Sequence, residues 1–269
     1  MRGPTSAALS APSSAIVYGR RPVLEALRGG REVRRLWVAE SPRPAPVVAA
    51  IIAAAQDAGL PISDSSRQRL DELAGGGHHQ GVVAEVAEAA IVTPAEIVDL
   101  ARQRRETPLL VIADHLEDPQ NLGSLIRTAE AAGAHGLVLP ERRSVGVTAA
   151  VVRASAGAAE HLAVASVVNL TRTLRNLKAD GLWIIGLDAA AQQRYDQADL
   201  TVPLAIVVGS EGKGLSRLVA EHCDVLVRVP MAGQTASLNA AVAGAIVLYE
   251  AVRQRLSSIA LHRPVATAP

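Results

Sequence analysis

The chain has 269 residues, 49% of them hydrophobic, enough for one large domain or two modest ones around a buried core. Its longest apolar stretches, such as 237–249, are broken by Ser, Asn or Gly and fall short of the roughly 18 to 20 residues of a membrane span, so no transmembrane helix is expected. The single cysteine, Cys223, excludes an internal disulfide and multi-cysteine metal sites, fits a reducing cytoplasm, and reads as a buried, inert thiol. The net charge of +1 is uneven: residues 1–45 carry eight arginines (2, 20, 21, 28, 31, 34, 35, 43) against three glutamates (25, 32, 40). That excess suits a phosphate backbone, and suits a solvated charged face equally well. Aromatics are 2% of the chain with no Phe, which disfavours recognition by stacking bases on an aromatic platform.

Residues 1–14, rich in Ala, Ser and Pro, lack the charged start and apolar core of a secretory signal and read as a disordered tail. Over 15–90 the pattern gives a helix at 22–27, a strand at 33–39, an Ala-rich helix at 45–58, a short strand, a helix at 66–73 and a strand in "GVVAEVA". This is a small α/β domain. Residues 91–107 start with a Thr-Pro turn, show helical spacing of Ile97, Leu100 and Ala101, and read as a connecting helix between domains. From 108 to 255 short apolar strands alternate with helices: "LLVIAD", helix 120–132, "GLVLP", helix 147–156, "LAVASV", helix 169–179, "LWIIGLD", "LAIVVGS", helix 216–222, "VLVRVP", helix 237–254. Strands apolar on both faces predict an α/β fold with a mainly parallel sheet covered by helices on both sides. Residues 256–269 read as a mobile tail.

Ligands of such sheets gather where loops leave the carboxyl ends of strands, and three of these loops hold unusual residues. In "DHLEDPQNLGSLIRTAEAAGA", Asp118 and Pro119 make a helix entry, Asn121 sits in the first turn, and Gly123 leaves space beside Arg127 one turn later. A plain reading makes Asn121 a capping residue and pairs Arg127 with Glu130 or Glu117. "VVGSEGKGLS" fails as a Walker loop, because two residues separate Gly209 from Gly212 and Lys213 is followed by Gly214 rather than a hydroxyl. It fails the dinucleotide fingerprint as well. A strand end remains, where Gly209 would let backbone approach a ligand closely with Glu211 in the same turn, or a simple glycine turn. In the third loop, Ser237 and Asn239 open a long helix, with Ser237 as an ordinary N-cap the plain reading. That helix is apolar nearly all round and should be buried, in the domain or against a second subunit.

Each motif is ambiguous alone, but N-x-G-x-x-x-R, G-x-E-x-x-G and P-M-x-G-x-x-x-S-L-N at three successive strand ends together resemble the SpoU/TrmH family of RNA 2′-O-ribose methyltransferases, within the SPOUT superfamily. The resemblance covers roughly 109–255 and includes "RASAGAAEHL"; "VYGRRPVLEAL" and "HHQGVVAEV" further resemble the N-terminal, ribosomal-protein-L30e-like RNA-binding domain of the RlmB branch, which methylates guanosine in 23S rRNA. By that resemblance His78 and His79 look like part of a loop before a strand, and the lack of a cysteine or acidic ligand beside them disfavours a metal site. The resemblance implies a C-terminal trefoil knot, which spacing could not have revealed because knots are nearly absent among proteins. It also implies a homodimer packed partly through the last helix, and S-adenosylmethionine held largely by backbone near Gly209, Val229 and Leu238, with Leu187 and Met231 alongside. No metal is implied. Family mechanisms place Arg127 at the ribose 2′-hydroxyl, sometimes as general base. A guanidinium with a pKa above about 12 is better suited to stabilising the developing alkoxide and gripping the neighbouring phosphate. Glu211 would orient Arg127 or the loop, Asn121 and Asn239 would hold the site geometry, and Ser237 would hydrogen-bond near the reacting groups. Family members often have Val-Ser after the third-motif Asn, where Ala240-Ala241 stand here; that puts a helix-start hydrogen bond in question. The same chemistry on tRNA, a noncatalytic RNA-binding protein, and a nucleotide-hydrolysing enzyme are the rival readings.

Overall fold

A computed structural model describes residues 14–29, 31–41, 43–87, 92–235 and 237–261. The tail expected over 1–14 therefore lies outside the described residues except for Ser14, as do 262–269 of the C-terminal tail. The chain divides into two units, 1–90 and 91–269.

In the first unit, β1 (Ser14–Tyr18), α1 (Arg20–Arg28), β2 (Val33–Ala39), α2 (Pro46–Asp57), β3 (Ile62–Ser65), α3 (Arg67–Leu73) and β4 (Val82–Ala87) build a four-stranded sheet in the order β1-β4-β2-β3. β4 runs antiparallel to both β1 and β2, and β3 lies parallel to β2. β1 escaped the sequence reading because "SAIVY" follows a tail-like composition and gains its strand character only from pairing with Ala87 through Val83. His79 closes the loop before β4: its Nδ1 accepts from the Gly81 amide at 3.0 Å, and its Nε2 lies 3.1 Å from Asp71 Oδ1.

The second unit opens with α4 (Pro94–Arg104). A reciprocal capping box starts it, with Thr93 Oγ1 accepting from Glu96 N and Glu96 Oε2 accepting from Thr93 N at 2.6 Å. Those bonds hold the Glu96 carboxyl below the usual carboxylate range. Although the segment reads as a connector, Ile97 and Val98 are buried in the core of this unit. There follow β5 (Leu109–Ala113), α5 (Pro119–Ala131), β6 (Gly136–Pro140), α6 (Ala149–Ala154), β7 (Ala163–Val167), α7 (Leu170–Ala179), β8 (Trp183–Leu187), β9 (Gln193–Arg194), β10 (Leu204–Val208), α8 (Arg217–His222), β11 (Val225–Arg228) and α9 (Ala240–Leu261).

The seven strands lie in the order β7-β6-β5-β10-β8-β11-β9, and every adjacent pair is parallel. Strand alternation divides the core in two: Leu109, Val111, Ala113, Leu204, Ile206 and Val208 face the α5 and α9 side, whereas Leu110, Ile112, Ala205 and Val207 face α4, α7 and α8. β5 and β10 are neighbours although 90 residues separate their ends in sequence, and strand order departs in opposite directions from them. A crevice for ligand belongs at such a point. α9 starts at Ala240 rather than 237 and continues to Leu261, so residues 256–261, expected as mobile tail, are helical. Arg255 fixes its far end: the half-buried guanidinium donates to the carbonyls of Thr107, Pro108, Leu200 and Val202 at 2.8–3.1 Å.

Candidate active site

The carboxyl ends of β5, β10, β8 and β11 stand side by side, so the loops that follow them converge. The residues 209–216 after β10 form the common wall of two cavities. One, of about 320 Å³, is closed by Leu187–Ala190 after β8, by Val227–Val229 and Met231 after β11, and by Ser237, Leu238 and Ala240 at the start of α9. The other, of about 480 Å³, is lined by His115, Glu117, Asp118 and Asn121 after β5 and by Arg143 after β6.

Asn239 ties this architecture together. Its Oδ1 accepts from the amides of Ala241 (3.0 Å) and Val242 (3.2 Å), which makes it the N-cap of α9. Its Nδ2 donates to Asn121 Oδ1 at 2.8 Å and to Glu211 Oε1. This amide orientation is fixed by its partners, since a carboxylate can only accept and an amide N–H can only donate. One side chain thus joins α5, the loop after β10 and the start of α9. Ser237 lines the smaller cavity instead of capping the helix. The question raised by Ala240-Ala241 is answered as well, because the Asn239 oxygen supplies the helix-start bonds and both alanines are buried.

Of the two roles expected of Glu211, its bond to Asn239 matches holding the loop and not orienting Arg127. Arg127 is exposed on α5, lines neither cavity, and has no hydrogen bond or ion pair among the described residues, so the plain pairing with Glu130 or Glu117 does not form either. Six residues beyond Asn121, it lies roughly 120° around the helix from it. Gly123, by contrast, is a contact: a Cβ there would sit 2.4 Å from Ala154 Cβ, so its bareness serves α5 against α6.

Gly209 is also needed for a reason other than ligand approach. A Cβ on it would meet Gly214 C at 2.2 Å and Leu215 N at 2.5 Å, so the chain's own returning backbone occupies that space. The return is a tight loop: Ser210 N donates to Gly214 O at 3.0 Å and Gly214 N to Ser210 O at 2.9 Å, with Gly212 and Gly214 at φ 76° and 65°, which favour glycine. Lys213, exposed in this turn, lines both cavities.

The sequence reading missed Asp114. It is fully buried at the end of β5, where Oδ2 accepts from the Ser216 amide at 2.7 Å and Oδ1 accepts from His115 Nδ1. It pins the far side of the 209–216 loop, a role invisible in sequence because its partner lies 102 residues away. Among the described residues no cluster of three His, Cys, Asp or Glu is placed to hold a metal ion. The smaller cavity suits an amphipathic organic molecule. Leu187, Val229 and Leu238 offer apolar walls, the strand ends offer main-chain polar groups, and Asp188 and Glu211 offer carboxylates to a positive centre.

This geometry has known counterparts. Residues 108–249 match the model of the SpoU rRNA methylase family, and residues 16–92 match that of the RNA 2′-O ribose methyltransferase substrate-binding domain. A putative TrmH family tRNA/rRNA methyltransferase, YacO of Bacillus subtilis, is 45% identical over 89% of this chain and 95% of its own length. The structure is similar to that of the SpoU methyltransferase AviRb from Streptomyces viridochromogenes in complex with AdoMet (TM-score 0.76, 29% identity, 91% of each chain). It is also similar to an AdoMet-bound rRNA methyltransferase from Sinorhizobium meliloti (TM-score 0.73, 28% identity, 89% of this chain and 87% of that one). With both regions matched and the motifs gathered around one pair of cavities, the chain belongs to the SpoU rRNA methylase family.

Proposed function

We propose that this protein is an S-adenosylmethionine-dependent RNA ribose 2′-O-methyltransferase acting on a guanosine of 23S rRNA in the cytoplasm. The observation that carries the reading is the Asn239 junction, which binds three loops into one wall between a cavity suited to the cofactor and a polar cavity open to a nucleotide. Ribosomal RNA is favoured over tRNA because the similarity to the rRNA methyltransferase structure extends over 89% of this chain and so takes in the N-terminal unit as well as the parallel sheet. The arginine excess of residues 1–45 is the matching electrostatic feature.

S-adenosylmethionine supplies a methyl group already activated by its sulfonium. The chain must position a ribose hydroxyl in line with that group and remove its proton. Leu187, Val229, Leu238 and Met231 would enclose the cofactor, with the main chain at Gly209 and Val229 reading its adenine. Asn121, Glu211 and Asn239 hold the partition in place, and Ser237 presents a hydroxyl to the smaller cavity. The exposed Arg127 lines neither cavity of its own chain, and its proposed role at the ribose, gripping a neighbouring phosphate and stabilising the alkoxide, requires the RNA to bring the ribose to it. Two further elements belong to the proposal: a trefoil threading of the C-terminal part, supported by the insertion of β10 between β5 and β8, and a homodimer through α9. Val242, Tyr249 and Leu256, spaced by seven on α9, are 48%, 51% and 62% exposed, an apolar stripe suited to a second copy.

The test is transfer of a radiolabelled methyl group to ribosomal RNA and to tRNA, followed by mapping of the modified ribose. Arg127→Ala should lose transfer while keeping cofactor affinity by calorimetry. Full activity in that variant removes Arg127 from the site, and label on tRNA alone replaces rRNA as the substrate. Failure to bind the cofactor at all would favour a noncatalytic RNA-binding protein.

A further inference from the structure

We infer that His115 is the proton acceptor for the ribose hydroxyl, oriented by Asp114; the inference rests on the methyltransferase reading and assigns a step that Arg127, a permanent cation, is poorly built to perform. Asp114 is fully buried and both its oxygens accept, Oδ2 from the Ser216 amide and Oδ1 from His115 Nδ1. A carboxylate oxygen on Nδ1 requires the proton to sit on Nδ1, and in the neutral ring that leaves Nε2 with a bare lone pair. Nε2 has no partner among the described residues, and the ring, about one-third exposed, lines the polar cavity with Asn121 and Glu211. Those two residues are the ones Asn239 joins to the cofactor side.

The backbone supports a purpose for this placement. His115 is held at φ 60°, a left-handed conformation uncommon among non-glycine residues, two residues beyond the end of β5. The nucleophile–base–orienter order of hydroxyl, imidazole and buried carboxylate is then complete once a ribose enters. In the step itself, the 2′-oxygen gives its proton to His115 Nε2 and uses the freed electron pair to bond the methyl carbon, while the carbon–sulfur pair stays on sulfur. The imidazolium so formed is balanced by Asp114 and passes its proton to water. Around it stand Glu117, Asp118 and Glu211 as acids and Arg143 and Lys213 as bases.

His115→Asn is the informative variant. Asn tolerates the left-handed conformation, its amide can replace Nδ1–H towards Asp114, and only the Nε2 base is lost. We expect methyl transfer to ribosomal RNA to fall about 100-fold or more, with cofactor affinity and melting temperature unchanged. Independently of activity, nitrogen-15 spectra of the histidine-labelled protein should show His115 protonated at Nδ1 and bare at Nε2 at neutral pH. A proton on Nε2, or a variant rate within about threefold of the original, overturns the assignment of His115 alone. Absence of transfer by the unaltered chain with every RNA overturns the methyltransferase reading, and the inference with it.

Discussion

Asn239 makes four hydrogen bonds through one amide, so its loss is felt in three elements at once. Asn239→Ala removes a helix cap, worth about 1 kcal/mol, and leaves the buried Asn121 oxygen without its donor, worth about 1 to 2 kcal/mol more. Asn239→Asp restores the cap but sets a carboxylate against Glu211, so it should recover part of the stability and none of the loop order. Urea denaturation and cofactor calorimetry on both variants test this: the stability order should be Asn, then Asp, then Ala, with cofactor binding weakened by about tenfold in both. Cys223 makes a second residue-scale case. Its Sγ donates to Val219 O, and burial, aided by Asp224, pushes the thiol from 9.0 up to about 12. A folded-state value raised above the unfolded one means that the thiol's contribution to stability is complete below pH 9 and is lost as pH rises towards 12. The thiol should therefore resist an aromatic disulfide reagent at pH 8 until the chain is unfolded. Rapid reaction of the native protein would show that Cys223 is reached by opening of α8.

At the scale of elements, α9 has to satisfy two surfaces. Leu248, Ala251 and Val247 bury themselves against the sheet and α5, and Gly244 lets the helix approach Leu125 and Val208, where a Cβ would sit 2.9 and 3.1 Å away. The large apolar residues Val242, Tyr249 and Leu256 face outward. This explains why the helix reads as apolar nearly all round without being enclosed by its own unit. Tyr249→Arg places a charge at the centre of the outward stripe while touching none of the inward packing. It should shift the mass measured by sedimentation from dimer to monomer and leave the melting temperature of the monomer unit nearly unchanged. A wild-type chain that sediments as a monomer at micromolar concentration would remove α9 as a dimer interface. The outward stripe was legible because exposure was not needed to see apolarity. The start of the helix was not, since Ser237 and Asn239 are both good N-caps and only the chain's path decides between them.

The whole molecule was readable to the extent that local patterns dictate it. The alternation of buried strands and amphipathic helices carries the parallel sheet, and the three motifs converge because β5 and β10 are neighbours and β11 lies one strand further on, beyond β8. What stayed hidden depends on long-range pairing: Asp114 meets Ser216 across 102 residues and Asn239 meets Asn121 across 118. Both cavities draw every lining residue from the second unit, while the arginine excess of residues 1–45 sits in the first. Cofactor binding and RNA capture should therefore separate when the chain is cut. A fragment spanning 92–261 keeps the capping box of α4, the full parallel sheet and the Arg255 clamp, so it should fold and bind S-adenosylmethionine within about threefold of the intact chain. Its affinity for ribosomal RNA should fall by about tenfold or more, and the slope of affinity against salt should flatten as phosphate contacts are lost. Calorimetry and filter binding at several salt concentrations measure both. Undiminished RNA affinity in the fragment would move the RNA-binding surface onto the parallel-sheet unit itself, where Arg143 and Lys213 are the cations that line the polar cavity.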